Sequence, residues 1–192
     1  MSNPEDRLDP TGTFLEAIVF AAEKHRDQVR VIDSSMPAIN HCLAVARTLA
    51  RAGVTDLDIL RAAVLHDTIE DTDTTAGLLE REFGTEVRDL VLEVTYDASL
   101  PDEERKRLQV VHAATASQRA KLIKLADKIC NVTDVARTSS PEWPRERKQE
   151  YFTWAERVVS HLRGASEVLE GEFDDVLAAS RRSLERPRHT PV

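Results

Sequence analysis

The run Leu65-His66-Asp67-Thr68-Ile69-Glu70-Asp71 decides how this chain is read. It places one imidazole and three carboxylates within six residues, directly behind the apolar stretch Leu57–Leu65. A helix with an apolar face does not need so much charge at its end, but many divalent metal sites do. Such ions are bound by neutral imidazole and ionised carboxylate, and hydrolysis needs a spare carboxylate to manage a water proton. Two other stretches answer this run: His41 in Ala38-Ile39-Asn40-His41, and Asp127 in Lys124-Leu125-Ala126-Asp127-Lys128. The pattern points to a metal-dependent phosphohydrolase.

With 192 residues the chain is long enough for one domain with a sizeable core. Its 41% hydrophobic and 31% charged residues are those of a soluble globular protein rather than a disordered one. A net charge of −8 leaves no general basic surface, so nucleic acid is not an expected partner. An anionic substrate must then be met by a local positive patch or by metal. Cys42 and Cys130 do not make a disulfide framework, and both sit in helix-like apolar patterns as buried free thiols. No apolar run approaches the roughly 18 residues of a membrane span, and the polar, Pro-containing residues 1–12 are not a secretory signal. The expected compartment is the cytoplasm, with no membrane partner. Monomer and homodimer both remain open.

Residues 1–12 read as a flexible leader, residues 13–185 as the domain, and residues 186–192 as a flexible tail. Phe14, Ala17, Ile18, Ala21 and Ala22 recur at three- and four-residue steps, one helix face. A second helix begins near Ile39 or Asn40 and stops at Gly53. Thr55 and Asp58 resemble a capping box for a third helix, which delivers His66 and Asp67 near its end. Gly84 closes a short helix, Thr85 is a candidate cap for the next, and Pro101 opens another. Ser117 caps a helix to about Val135, on which Asp127 and Asn131 lie four apart on one face. Residues 138–144 form a loop. Two more helices cover about 146–162 and 166–184. There is no strand alternation and no repeat, so the class is all-α, with eight or nine helices.

Each chemical residue has a bland reading. A His-Asp dipeptide alone usually means nothing, His41 alone fits a helix N-terminus, and Asp127 alone fits a surface ion pair with Lys124 or Lys128. The joint pattern is harder to dismiss, because it combines an acid inside an apolar helix face, a His after a Pro-initiated turn and a double acid after the pair. Glu70 and Asp71, four and five residues beyond His66, can face the same cleft without being ligands. Arg105-Lys106-Arg107 reads as a solvated helix face, with attraction of phosphate as the alternative, Trp154 as core, and His25, His112 and His161 as ordinary, partly exposed histidines.

The order His, His-Asp, Asp resembles that of the HD phosphohydrolase superfamily. Residues 66–73, HDTIEDTD, resemble the HDTVEDTD run of RelA/SpoT-type (p)ppGpp hydrolases. Phe83-Gly84 followed by Val87, residues 121–131 (KLIKLADKICN) and residues 150–154 (EYFTW) look like that family too. Over about residues 13–185 the chain is similar to its small stand-alone hydrolases of the metazoan SpoT-homologue type. The resemblance implies a single all-α HD-domain helical bundle that uses Mn²⁺ and removes the 3′-pyrophosphate of (p)ppGpp, giving GDP or GTP and pyrophosphate. It implies His41, His66, Asp67 and Asp127 as ligands, and Glu70 and Asp71 as the acidic pair near the nucleophilic water. It also implies Arg30, Asn131, Arg147 and Tyr151 as substrate contacts, to which the bottom-up reading adds Lys124, three residues before Asp127.

The family pattern of Arg-Lys, a Gly-containing loop and Pro-Tyr-Ile-x-His is not kept. Val31 stands at the Lys position and Ala38 at the Tyr position, and the loop 32–36 has no Gly. Those positions line the purine and phosphate side, so the implied chemistry is compatible with a drifted substrate. NADPH or another phosphorylated nucleotide, cleaved to release phosphate, is the alternative.

Overall fold

The computed structural model describes residues 9–185, and its first helix is capped by Asp9. Its carboxylate accepts from Gly12 N at 2.6 Å, and Pro10 occupies the first turn of α1 (Pro10–Lys24). The helix therefore starts three residues before the expected Thr13, because the Asp-Pro pair is a start signal in its own right. The expected tail, residues 186–192, lies outside the described residues.

The chain then forms α2 (Ile39–Arg51), α3 (Leu57–Leu65), the single turn α4 (Thr68–Asp71), α5 (Ala76–Phe83) and α6 (Thr85–Val94). It continues through α7 (Asp102–Thr115), α8 (Gln118–Arg137), α9 (Arg145–Ser160) and α10 (Glu167–Glu185). The fold is all-α, with ten helices among the described residues. The excess over the expected count comes from α4, too short to show a helical period.

Two expected caps move by one residue. Asp56, not Thr55, caps α3, accepting from Asp58 N and Ile59 N at 3.0 and 3.3 Å. Gly84, at φ 87°, stands at the start of α6, so Thr85 is inside it. Ser117 caps α8 as expected, accepting from Ala120 N.

The core is built around α8. Ala120, Ile123, Leu125, Ala126, Ile129, Val132 and Val135 are buried on all sides of this helix, which packs against α10, α2, α9, α6 and α3. A helix apolar all round belongs inside a protein. The face of α3 is Ile59, Ala62, Ala63, Val64 and Leu65, whose two alanines admit α1 and α2 closely. Phe152 on α9 and Phe173 on α10 are fully buried and close the far side.

The segment between α1 and α2 turns without glycine. Asp33 Oδ1 accepts from Ser35 N and from Ser35 Oγ, and Arg30 N donates to Met36 O at 2.8 Å. Val29 and Pro37 form an isolated antiparallel bridge. Thr138 Oγ1 donates to Ile32 O, and Lys148 Nζ donates to Thr138 O, so the start of α9 anchors this segment. An Asx-type side-chain bond substitutes for the missing glycine.

Asp56→Ala should lower stability by about 1 kcal/mol, the usual cost of an N-cap. Thr55→Ala should stay within about 0.5 kcal/mol of the parent. Urea unfolding of both variants checks this; a larger loss at Thr55 would assign the cap to the other residue.

Candidate active site and metal centre

Three helices bring the predicted ligands together. His41 lies in the first turn of α2, His66 follows the last residue of α3, and Asp127 sits midway along α8. His41 Nε2 is 3.0 Å from Asp127 Oδ1 and 3.9 Å from Asp67 Oδ2. His66 Nε2 is 3.0 Å from Asp67 Oδ1 and 3.8 Å from Asp127 Oδ1. Both imidazoles are buried, with ring centroids 5.2 Å apart.

His66 is oriented by its own helix end, since Nδ1 lies 2.8 Å from Ala63 O. That leaves Nε2 buried beside two carboxylates yet without an aligned hydrogen bond. One atom each from His41, His66 and Asp127 lies within 4.8 Å of the others. Two imidazole nitrogens with carboxylate oxygens suit a first-row divalent ion, so the residues present fit a metal.

The electrostatics agree. Burial alone would raise the Asp127 carboxyl, but the Lys128 ammonium and the His41 imidazole outweigh it and hold it well below the usual range. Burial likewise opposes ionisation of Asp67, and the adjacent His66 reverses this. Asp127 is saturated with donors: Asn131 Nδ2 at 2.6 Å to Oδ1, and Lys128 Nζ at 2.7 Å to Oδ2.

Glu70 and Asp71 line the same cavity, about 540 Å³ in volume. Glu70 Oε2 accepts from Tyr96 N at 3.1 Å, and Oε1 faces Arg105 Nη1 at 3.5 Å. Burial pushes the Glu70 carboxyl up, and Asp67 and Asp71 add to that shift. Asp71 moves the same way for the same main reason.

Of the predicted substrate contacts, Arg30, Lys124, Asn131 and Tyr151 line the cavity. Arg30 Nη2 is held by Asn131 Oδ1 at 2.6 Å and faces Asp134 at 3.4 Å. Lys124 is buried, donates to Tyr96 Oη at 2.7 Å, and is pushed down to about 8 by burial and by Lys128. Arg147 is the exception: it is exposed, donates to Glu142 O, and stacks on Trp143 at 4.4 Å, away from the cavity lining. Its position on α9 turns it toward the 138–144 loop.

Several wall residues depart from the first expectation drawn from the sequence. Arg105 and Lys106 line the cavity, while Arg107 alone keeps the expected outward role, paired with Glu104. Trp154 is not simply core: Lys128 lies over its ring at 4.9 Å and its Nε1 donates to Lys106 O. His25 is 1% exposed, against the expectation of a partly exposed residue. Its Nδ1 meets Gln28 Oε1, and Gln28 donates to Asp71 O. Lys128 was legible as a cation inside the apolar α8 pattern, whereas nothing in the sequence marked the Tyr96 backbone as the holder of Glu70.

The HD-domain family model matches residues 17–164. The chain is 53% identical over 161 residues to the Xenopus tropicalis guanosine-3′,5′-bis(diphosphate) 3′-pyrophosphohydrolase MESH1, covering 83% of this chain and 90% of that protein. Human MESH1 is 53% identical over 157 residues, covering 81% and 88%. A solved structure described as a metazoan orthologue of SpoT that hydrolyses ppGpp superposes with a TM-score of 0.85 at 44% identity, over 93% of this chain and 99% of that one. The chain belongs to the HD-domain family and, within it, to the RelA/SpoT-type group that contains the MESH1 proteins.

Proposed function

We propose that this chain removes the 3′-pyrophosphate of (p)ppGpp, giving GDP or GTP and pyrophosphate, with Mn²⁺ as its working ion. The observation that carries the reading is the buried convergence of His41, His66 and Asp127, with Glu70 and Asp71 lining the same cavity. The MESH1 relatives, named for this hydrolysis, support it. A nucleotide substrate and two free thiols accord with a cytoplasmic enzyme.

His41, His66, Asp67 and Asp127 would hold the ion. When bound, a divalent cation supplies Lewis-acid polarisation of a phosphoryl oxygen and eases ionisation of the attacking water. The chain's own residues do the rest. A water oxygen attacks the phosphorus on the 3′ oxygen, and its proton passes to Glu70, whose buried position favours proton uptake. The P–O3′ bond breaks, the 3′ oxygen takes a proton from solvent water to become the 3′ hydroxyl, pyrophosphate is released, and Glu70 returns its proton to solvent. Tyr96 N and Arg105 fix the Glu70 carboxylate, so it need not reorganise during the step. Arg30, Lys106, Lys124 and Lys128 give the cavity its cationic side for the substrate's phosphates.

A phosphatase acting on NADPH or another phosphorylated nucleotide is the second reading, favoured by one observation. Val31, at the family's Lys position, is 85% exposed, and with Ala38 it gives the cavity rim neither cation nor aromatic ring.

Asp67→Ala and His66→Ala should lose Mn²⁺, read by electron paramagnetic resonance, and lose activity with it. Glu70→Gln should keep Mn²⁺ while kcat falls by about 10²–10⁴, the usual contribution of a general base. Equal Mn²⁺ loss in all three would end that division of labour.

With Mn²⁺ and both nucleotides offered side by side, the protein should release pyrophosphate from ppGpp. Phosphate from NADPH with no pyrophosphate from ppGpp would select the second reading. Val31→Lys combined with Ala38→Tyr should lower the KM for ppGpp about tenfold, the ~1.4 kcal/mol expected of a charge-assisted contact. An unchanged KM would remove these positions from the specificity wall.

A further inference from the structure

The site has a sulfur donor that the hydrolase reading does not use. Cys42 follows the ligand His41 on α2 and is completely buried. Its Sγ, a nitrogen of His66 and a carboxylate oxygen of Asp67 all lie within 4.8 Å of one another. Because His66 Nδ1 is engaged with Ala63 O, the available nitrogen is Nε2, which is buried and without a hydrogen-bond partner. His25, from the end of α1, also lies against this thiol and interacts with it. Thus the imidazoles of His25 and His66 both border one enclosed sulfur.

We propose that Cys42, His66 and Asp67 form a second ligand set, overlapping the first, that takes a thiophilic divalent cation of the Zn²⁺ or Cd²⁺ class. Sulfur selects such ions, whereas oxygen and nitrogen donors suit Mn²⁺. Coordination forms a metal–sulfur bond, and the thiol proton is released to solvent. The two sets share His66, so one chain cannot fill both at once. A thiophilic ion seated on Cys42 withholds His66 and Asp67 from the His41–Asp127 side. Such a cation therefore acts as a competitor of the working ion, not as a substitute for it. No substrate enters this argument, so it stands or falls apart from the choice of nucleotide.

Cadmium titration of the metal-free protein tests it. Cd²⁺ should produce sulfur-to-cadmium ultraviolet absorption that saturates at one ion per chain. Cys42→Ser and Cys42→Ala should each abolish it, and Cys130→Ser should keep it. His41→Ala should also keep the band while losing Mn²⁺ by electron paramagnetic resonance. Mn²⁺ added first should shift the titration to higher Cd²⁺. No band in the unmodified protein, or a band that survives both Cys42 substitutions, overturns the proposal. Loss of the band in His41→Ala also overturns it, because the thiol would then only supplement the first set. A titration indifferent to bound Mn²⁺ refutes the overlap. If the Cys42 variants do not fold, cadmium NMR of the unmodified protein decides, and a shift typical of nitrogen and oxygen ligands alone refutes it. Failure of Mn²⁺ to bind at all would defeat the Mn²⁺ reading and leave the Cys42 band as a separate result.

Discussion

A carboxylate in the middle of the most buried helix is the constraint on which the rest of the site depends. Asp127 lies on α8 among Ala126, Ile123 and Cys130, where an unpaired charge is costly to keep. The fold meets that cost with donors from several directions: Lys128 and Asn131 on the same helix, and His41 from α2. Lys128 is itself buried and lies over the Trp154 ring of α9. Removing one member leaves the others with buried charge unmatched, so the site and the packing of α2, α8 and α9 are one structure. The same donors that make Asp127 tolerable also keep it ionised, the form a metal ligand would need.

Much of this was legible from the sequence, for a physical reason. The ligands sit at helix positions whose neighbours are apolar at regular steps, and a charged residue interrupting such a pattern stands out. Asp127 and the end of α3 were found that way, as was the i, i+4 relation of Asp127 and Asn131. Caps were less legible, because several short polar residues stand together before α3 and only backbone geometry chooses Asp56. The turn α4 was invisible to periodicity, yet it sets the directions of Glu70 and Asp71.

The cavity wall was the least legible part, since its members meet only through tertiary packing. Arg105 and Lys106 belong to a charged run that any solvated helix might carry, and only the docking of α7 on α9 turns two of its cations inward. Tyr96 contributes a backbone N–H to Glu70 and a hydroxyl to Lys124, neither of which has a sequence signature. Arg147, which the resemblance implied as a contact, instead lies on Trp143 and donates to the Glu142 carbonyl.

The charges around the cavity explain why an ion and a polyanion belong together here. Five acids line it (Asp67, Glu70, Asp71, Asp102 and Asp127), and so do five cations (Arg30, Arg105, Lys106, Lys124 and Lys128). The protein alone therefore offers a nearly balanced cavity, with the carboxylates of Asp67 and Asp127 gathered beside the two imidazoles. A highly phosphorylated nucleotide gains little from such a balance and is repelled by the acidic half. A divalent ion held by the proposed ligands His41, His66, Asp67 and Asp127 would tip the sum positive where the phosphates approach. Metal binding and substrate attraction would then be linked through the same carboxylates. A change that costs the proposed site its ion would then weaken nucleotide attraction, even where the changed residue never touches the substrate.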